Sequence, residues 1–321
     1  MGNWTAADVP DCREKTVVVT GANSGLGFEA AKVLTKRGAT VIMACRSLDR
    51  GETAAAEIRA ELPAEAAGTL DVHQCDLASL SSIERFADGV SEAYDHLHVL
   101  CNNAGVMAVP RDETDDGFEM QLGVNHLGHF ALTSHLLSLL LETPGETRIV
   151  THSSGAHTAG EIDFDDLMRE RSYDKWEAYG QSKLANLHFA YELQRRLTAA
   201  GLTDTKSIAC HPGFADTNLQ YRGPKEMGSR TRYAMMKVAN TLFAQSARRG
   251  ALPLLYAATA PDAAGGAYYG PDGLWNMRGT PERQESNDAS RDEAVAERLW
   301  DVSEELTGVS YEIQARAEQA D

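Results

Sequence analysis

The chain has 321 residues, of which 43% are hydrophobic, and its formal net charge at pH 7 is -17. This length and hydrophobic content suit one large domain better than two small ones. The negative charge argues against nucleic acid or an anionic membrane surface as a partner, and the lack of any run of about 18 apolar residues argues against a membrane-spanning helix.

A glycine-rich turn follows the first predicted strand. The strand is the β-branched run at 16–19, and residues 28–37 carry apolar side chains at helical spacing. Between them lie Gly21, Gly25 and Gly27, spaced Gly-x-x-x-Gly-x-Gly rather than Gly-x-Gly-x-x-Gly. Glycine permits positive φ and close backbone approach, and the N-terminus of the next helix attracts phosphate. The turn therefore predicts a seat for a dinucleotide pyrophosphate, with a plain tight connection as the alternative.

Further strands alternate with helices along the chain. Each predicted strand is short and almost continuously apolar, as expected of a parallel sheet covered by helices on both faces. We expect strands at 40–44, 70–74, 97–101, 148–151, 206–209 and 267–269, and helices near 48–58, 83–90, 118–141, 173–197, 246–258 and 289–306. The loosely patterned stretch 214–245 is a candidate substrate lid, with a surface helix packed on the core as the alternative. No repeat or linker separates a second domain.

The sulfur and imidazole side chains show no ligand spacing. The five cysteines contain no Cys-x-x-Cys pair, so we expect neither disulfides nor a metal site. His126 and His129 lie three apart on a mostly apolar helix, for which packing is the better interpretation. Since the first ten residues are polar and lack a hydrophobic signal region, we expect a cytoplasmic protein.

The acidic residues lie in short scattered clusters, and lysine is scarce beside arginine. This pattern fits either a salt-adapted, strongly hydrated surface or an ordinary acidic cytoplasmic protein. Stability that rises steeply between dilute buffer and molar salt would support the first interpretation, and a flat response would exclude it.

Polar motifs follow four of the predicted strands. They are the glycine turn, residues 102–105, the pair Ser153 and Ser154, and the pair Pro212 and Gly213. Because the carboxyl ends of parallel strands share one edge of a sheet, where ligands bind, these motifs should lie together. The chain has no Gly-x-Ser-x-Gly sequence, which disfavours a serine hydrolase.

Tyr179 and Lys183 are four residues apart on a predicted helix, so their side chains share one face. An ammonium roughly 5 Å from a phenol, at an effective dielectric of ~20, favours phenolate by about 3 kcal/mol, or two pKa units. Tyr179 could then exchange a proton with an alcohol or carbonyl near neutral pH. A neighbouring serine could hold the substrate oxygen. Taken alone, the Tyr-x-x-x-Lys spacing is also that of an ordinary surface pair.

Together these motifs, in this order, resemble the short-chain dehydrogenase/reductase family over residues 15–269. Phrases such as Asn-His-Leu-Gly-His-Phe at 125–130 resemble the branch that contains retinol dehydrogenases, the WW-domain oxidoreductase and related ketoreductases. The resemblance implies a single-domain α/β Rossmann fold over 1–321, in which helices cover both faces of a doubly wound, seven-stranded parallel sheet. The family core would span 14–270, followed by a C-terminal extension with a helix at 271–321.

The resemblance also implies residue roles. Tyr179 would be the general acid/base, Lys183 would lower its pKa and bind ribose, Ser154 would hold the substrate oxygen, and Asn125 would anchor a water of the proton relay. The implied cofactor-binding residues are Gly21, Asn23, Ser24, Gly25, Leu26, Gly27, Arg46, Asp76, Leu77, Asn103, Ala104, Gly105, Tyr179, Lys183, Pro212 and Gly213.

Cofactor choice is expected at the end of the second strand. NAD-preferring relatives carry an acidic residue there, whereas this chain has Cys45 followed by Arg46, whose guanidinium could pair with a 2′-phosphate. We therefore expect NADP(H), with NAD(H) possible if Arg46 is only a solvated residue at the start of a helix. Family members commonly form dimers or tetramers through the helices at 118–141 and 175–197, although the extension could alter that pairing.

The expected activity is hydride transfer between a nicotinamide and a small-molecule carbonyl or alcohol. We expect the substrate to be a bulky and rather apolar carbonyl compound. Specificity would come from residues 106–111, 156–173 and 214–245. Two other functions stay open: a catalytically idle, redox-responsive nucleotide-binding module, and lyase, epimerase or double-bond reduction chemistry on the same scaffold.

Overall fold

The computed structural model describes residues 4–62, 68–213, 246–273 and 276–313. The strands are β1 Thr16–Thr20, β2 Thr40–Cys45, β3 Thr69–Gln74, β4 Val99–Asn102, β5 Thr147–His152, β6 Thr205–Cys210, β7 Tyr268–Pro271 and β8 Pro281–Gln284. The helices are α1 Gly25–Lys36, α2 Leu48–Glu61, α3 Leu80–Ala93, α4 Met120–Leu122, α5 Gly128–Glu142, α6 Lys175–Ala199, α7 Ala247–Gly250, α8 Leu252–Thr259 and α9 Glu293–Thr307. A π-helical segment, Gly123–Leu127, joins α4 to α5.

The strands form one sheet in the order β3-β2-β1-β4-β5-β6-β7-β8. The first seven are mutually parallel, and the chain direction across the sheet switches between β1 and β4. In open α/β sheets the crevice at such a switch point binds ligands. The glycine turn after β1 and the loop after β4 both lie at this crevice, so the topology places two of the predicted motifs side by side.

Helices cover both faces of the sheet, which confirms the predicted doubly wound α/β fold. Along β1, Val17 and Val19 enter a core that α1, α2 and α8 close, whereas Val18 enters a core closed by α3, α5 and α6. This alternation follows from the two-residue period of a strand. Because both faces are buried, β1 reads as a continuous apolar run.

Among the described residues, the sheet has eight strands instead of the predicted seven. The added strand, β8, pairs antiparallel with β7 at the edge. It begins with Pro281 and exposes Glu282 and Arg283, so it has none of the apolar pattern that marks the central strands. Proline and charged residues are common on edge strands because they prevent pairing with another chain.

Two predicted helices are interrupted. The helix expected at 118–141 becomes α4, the π-helical segment and α5, and the helix expected at 246–258 divides into α7 and α8 at Ala251. The candidate lid, 214–245, lies outside the described residues. Within the described parts of the chain, every helix is too short or too polar to span a bilayer.

The C-terminal helix α9 packs on α5 and α6. Trp300 is 2% exposed, lies edge-on to Phe130 at 5.1 Å and stacks on Phe189 at 5.9 Å between ring centroids. The Arg196 guanidinium lies 4.4 Å from the Trp300 ring centroid, and the Tyr311 hydroxyl donates to the Phe130 carbonyl at 2.7 Å. The extension is thus part of the main core rather than a separate unit.

Candidate active site

The glycine turn presents the N-terminus of α1 to the crevice. Gly21 and Gly25 have φ of +67° and +58°, a left-handed conformation that favours glycine. A Cβ atom on Gly27 would lie 2.5 Å from the Gly21 carbonyl oxygen, so only glycine lets the helix start this close to the turn. Ser24 is the N-cap residue of α1, but its side chain makes no capping hydrogen bond to the helix. The first turn of α1 contains no acidic residue. The helix dipole and its first N–H groups therefore favour an anion here.

The loop after β4 is held against this turn. The backbone N–H groups of Asn103 and Ala104 both donate to Thr20 Oγ1 at 2.9 Å. The Asn103 side chain donates from Nδ2 to the Thr20 carbonyl at 2.8 Å, and its Oδ1 accepts from His152 Nδ1 at 3.0 Å. Asn103 is thereby fixed by three neighbouring strands, β1, β4 and β5.

Tyr179, Lys183 and Ser154 come together above this edge. Tyr179 is 5% exposed, and the Ser154 side chain lies near enough to its hydroxyl to favour the ionised phenol. Lys183 lies one turn further along α6, with Nζ 5.8 Å from the Tyr179 ring centroid. Its Nζ donates to the His152 carbonyl at 3.1 Å, an oxygen that also accepts from Asn186 Nδ2 at 2.9 Å. An ammonium has three donors, so Lys183 keeps capacity for a ligand.

Burial controls the protonation of both α6 residues. It raises the pKa of Tyr179 to about 12, although the neighbouring Ser154 side chain acts in the opposite direction. It lowers the pKa of Lys183 to about 8. Desolvation thus disfavours the phenolate and the ammonium alike. The expectation that Lys183 makes the phenol more acidic stays a prediction.

Asn125 links the β4 loop to α6. It is fully buried in the π-helical segment, where its Oδ1 accepts from the Val106 N–H at 2.8 Å. Its Nδ2 donates to the Val106 carbonyl and to Ser182 Oγ, each at 2.9 Å. A Cβ on Gly105 would lie 2.9 Å from Asn125 Oδ1 and 3.6 Å from Lys183 Nζ. The loop backbone therefore passes directly beside the lysine ammonium.

The end of β2 lies beside the glycine turn. Burial raises the pKa of the Cys45 thiol to about 11, although the nearby backbone N–H groups of Ala22 and Asn23 act in the opposite direction. Arg46 follows and is exposed, while its carbonyl accepts from Gln74 Nε2 at 3.3 Å. The Arg46 guanidinium is therefore accessible at the edge of the turn.

The remaining predicted residues lie at the same edge. Asp76 and Leu77 follow β3, and Asp76 Oδ1 accepts from the Ala78 N–H at 3.1 Å. Pro212 and Gly213 follow β6, and Gly213 has φ of +66°. The structure thus gathers all the predicted motifs at the carboxyl ends of the strands.

A family model described as short chain dehydrogenase matches residues 15–227. The chain belongs to the short-chain dehydrogenase family. This short-chain dehydrogenase is accordingly an oxidoreductase that acts on CH–OH and C=O groups with a nicotinamide cofactor.

Among curated proteins, the short-chain dehydrogenase is similar to retinol dehydrogenases. It is 41% identical to retinol dehydrogenase 14 of Mus musculus over 304 residues, which cover 92% of this chain and 86% of that protein. It is 43% identical to retinol dehydrogenase 13 of Homo sapiens over 302 residues, which cover 92% and 85%. These matches place it in the retinol dehydrogenase branch of the family.

Solved structures share the fold. A protein from Mycobacterium paratuberculosis is 43% identical, with a TM-score of 0.77, and the match covers 97% of this chain and 99% of that one. L-sorbose reductase from Gluconobacter frateurii, solved with NADPH and L-sorbose, is 17% identical, with a TM-score of 0.65 and coverage of 81% and 95%. At that identity the second likeness concerns the fold alone.

The residues present fit a nicotinamide dinucleotide. The α1 N-terminus has no acidic residue in its first turn, and the positions of Gly27 and Gly105 leave no room for a side chain between the backbone and its neighbours. Sequence reasoning missed the roles of His152 and Asn186 in holding Lys183. Asn186 could have been found, because it lies three residues after Lys183 and so shares its helix face.

Proposed function

We propose that this short-chain dehydrogenase is an NADP-dependent reductase of carbonyl compounds in which Tyr179 is the general acid/base. The observation that carries the proposal is the approach of the Ser154 side chain to the Tyr179 hydroxyl, with Lys183 one helical turn away at the same sheet edge. A phenol and a second hydroxyl that converge in this way can both contact one substrate oxygen.

The proton step follows from this pairing. When bound, the reduced nicotinamide supplies a hydride to the carbonyl carbon. Tyr179 donates its phenolic proton to the carbonyl oxygen, and the Ser154 hydroxyl donates a hydrogen bond to the same atom. Because burial keeps Tyr179 protonated, the protein by itself holds the proton that reduction consumes.

Lys183 and Asn125, which lie beside the loop after β4, support the proton transfer by Tyr179. Lys183 holds its ammonium near the phenol and binds the nucleotide ribose with the donors that the His152 carbonyl does not use. Asn125 keeps the loop at Val106 and the helix at Ser182 in register through its side-chain amide. We assign the 2′-phosphate of NADP to the exposed Arg46, since the preceding residue is the neutral Cys45.

We propose an extended apolar aldehyde or ketone as the substrate. Two features support this choice: relatives at about 40% identity are named retinol dehydrogenases, and Trp176 exposes 53% of its surface beside Tyr179, with ring centroids 6.3 Å apart. An exposed indole beside the reacting phenol offers a flat apolar contact to a conjugated chain.

The test measures NADPH oxidation with all-trans-retinal, hexanal and an enone, using wild-type protein, Tyr179→Phe and Tyr191→Phe. We expect Tyr179→Phe to lose roughly 10²- to 10⁴-fold in kcat, because the transferred proton is gone. Tyr191 lies on the same helix and hydrogen bonds to Ser286, so its variant serves as the matched control. Full turnover by Tyr179→Phe would refute the assignment. Cofactor binding by wild type without turnover of any compound would favour the catalytically idle module.

A further inference from the structure

His129 makes two polar contacts inside the protein core. The residue lies on α5 and is 1% exposed. Its Nδ1 is 3.0 Å from the Asn125 carbonyl oxygen, and its Nε2 is 2.9 Å from Thr20 Oγ1. His129 is thus packed in the core, as the sequence analysis expects, and it also hydrogen bonds through both ring nitrogens.

These contacts define the ring tautomer. A carbonyl oxygen can only accept, so His129 Nδ1 carries the proton and donates to Asn125. Burial and the charge of Lys183 lower the pKa of His129 to about 4, which keeps the ring neutral. Nε2 then has a free lone pair and accepts the Thr20 hydroxyl proton.

The direction of the Thr20 hydroxyl follows from this tautomer. Thr20 Oγ1 also lies 3.2 Å from the Cys101 carbonyl oxygen, a longer contact than the 2.9 Å to His129 Nε2. With its single proton directed to His129, the oxygen keeps its lone pairs for the loop after β4. It uses them to accept the Asn103 and Ala104 N–H groups. A chain of directed hydrogen bonds thus runs from the cofactor loop, through Thr20 and His129, to the backbone of Asn125.

We propose that His129 is a positioning residue that couples the cofactor loop at Asn103 and Ala104 to the helix segment that carries Asn125. The inference rests on the proposed function, because that function assigns the loop to the nucleotide and gives Asn125 the register between the loop at Val106 and the helix at Ser182. The two sides meet again at Gly105, where the loop backbone lies beside both Asn125 Oδ1 and Lys183 Nζ. A histidine suits the position because one ring carries a donor and an acceptor that point in different directions.

The first experiment is a double-mutant cycle on cofactor binding. Calorimetry measures the Kd of NADPH for wild type, Thr20→Val, His129→Leu and the double variant, each checked for folding by circular dichroism. We expect each single change to weaken binding roughly tenfold, since each leaves buried polar groups unpaired. Because both act on one chain of hydrogen bonds, the double variant should be about as weak as either single variant. If the fold-change in Kd for the double variant equals the product of the two single fold-changes, the two residues act independently and the proposal is overturned.

The matched control is His126→Leu. His126 is also buried, but its Nε2 contacts Ser303 of α9 at 2.9 Å and not the loop after β4. We expect it to lower thermal stability without changing the Kd of NADPH. If it weakens NADPH binding as His129→Leu does, the effect is general loosening of the π-helical segment and α5, and the proposal fails.

Conservative variants test the contacts of His129 Nδ1 and Nε2 separately. In His129→Gln the amide reaches the position of Nε2, and in His129→Asn it reaches the position of Nδ1. We expect Gln to restore the Kd of NADPH to within about threefold of wild type, because it can contact Thr20, and Asn to bind as weakly as Leu. Wild-type binding by the Leu variant would overturn the proposal. Failure of the wild-type protein to bind NADPH would instead refute the proposed function.

Discussion

The fold removes Tyr179 and Lys183 from water, and each is held in its uncharged form more strongly than in solution. The lysine therefore lowers the stability of the protein at neutral pH. Its one hydrogen bond to a described residue, to the His152 carbonyl, does not replace hydration of the ammonium. Residues of a reaction centre often carry such a penalty, because they are selected for chemistry and not for stability.

We predict that Lys183→Met stabilises the protein at neutral pH. The unfolded lysine keeps its proton up to pH 10.5, whereas the folded one loses it above about pH 8. The penalty is therefore complete below pH 8 and disappears as the pH rises to 10.5. The shift corresponds to about 3 kcal/mol at pH 7. Urea unfolding at pH 7, 9 and 10.5 measures it, with the exposed Lys36→Met as control. An equal difference from wild type at all three values would contradict the prediction.

Arg46 tests the cofactor assignment at a single position. We predict that Arg46→Asp lowers the ratio of kcat/KM for NADPH over NADH roughly tenfold to a hundredfold, since a charge-assisted hydrogen bond contributes about 1.5–3 kcal/mol. Arg85→Asp makes the same charge change on the exposed face of α3 and should leave the ratio unchanged. Equal effects of the two variants would indicate a general electrostatic effect in place of a contact with the 2′-phosphate.

Among the elements, α9 changes what α5 and α6 can contact. The family pairing expected through these helices needs their outer faces, but in this structure Phe130 and Phe189 face Trp300, and Tyr191 bonds to Ser286. The C-terminal extension supplies the apolar surface that a second copy would otherwise supply. We therefore predict that the protein does not form oligomers through α5 and α6.

The measurement is thermal unfolding of Trp300→Ala over a hundredfold range of protein concentration. We expect the variant to lose about 3–5 kcal/mol, because a buried tryptophan leaves a large cavity. The loss should not depend on concentration, since the contact lies within one chain. Trp176→Ala removes an exposed tryptophan and should change stability by less than about 0.5 kcal/mol. A melting temperature that rises with wild-type concentration would contradict intramolecular closure.

The π-helical segment marks a limit of sequence reasoning at this scale. Apolar spacing predicted a helix over 118–141 correctly, but a period of 3.6 residues does not reveal one widened turn at Asn125. The edge strand β8 was missed for a related reason: only two of its four residues are even partly buried. Central strands were predictable because burial on both faces requires a continuous apolar run in the sequence.

Across the whole molecule, buried histidines set the response to acid. His126, His129, His152 and His188 have pKa values lowered by burial to about 3 or 4. The unfolded chain binds protons at these side chains near pH 6.5, whereas the folded chain does not. The free energy of unfolding should thus fall as the pH drops from 6.5 to about 4.

We predict that His188→Leu makes this fall less steep. Each such histidine contributes about 1.4 kcal/mol per pH unit within the window. Neither nitrogen of the His188 ring has a hydrogen-bond partner among the described residues, so leucine removes a proton site without breaking a bond. Urea unfolding between pH 4.5 and 7 measures the slope. A slope equal to that of wild type would show that His188 does not titrate in this range.

The site was predictable as a set of residues but not as an electrostatic environment. Motif spacing predicted that Tyr179, Lys183 and Ser154 lie at one sheet edge, because strand ends and helix turns follow from local patterns, and the family resemblance added Asn125; their catalytic roles stay predictions. The pKa of Tyr179 and the contacts of His129 depend on how much water the assembled fold excludes and on partners more than 100 residues away in the case of Thr20. Neither the pKa of Tyr179 nor the contacts of His129 can be predicted from a short segment of the sequence.

The packing of α9 also has a consequence for biosynthesis. The aromatic surface formed by Phe130 and Phe189 is translated well before the segment from Trp300 to Tyr311 that covers it. Until that segment has left the ribosome, this surface is exposed to water and to other nascent chains. The protein can therefore complete this part of its core only after residue 311 has emerged, and a chain that stops near residue 290 would be prone to aggregation.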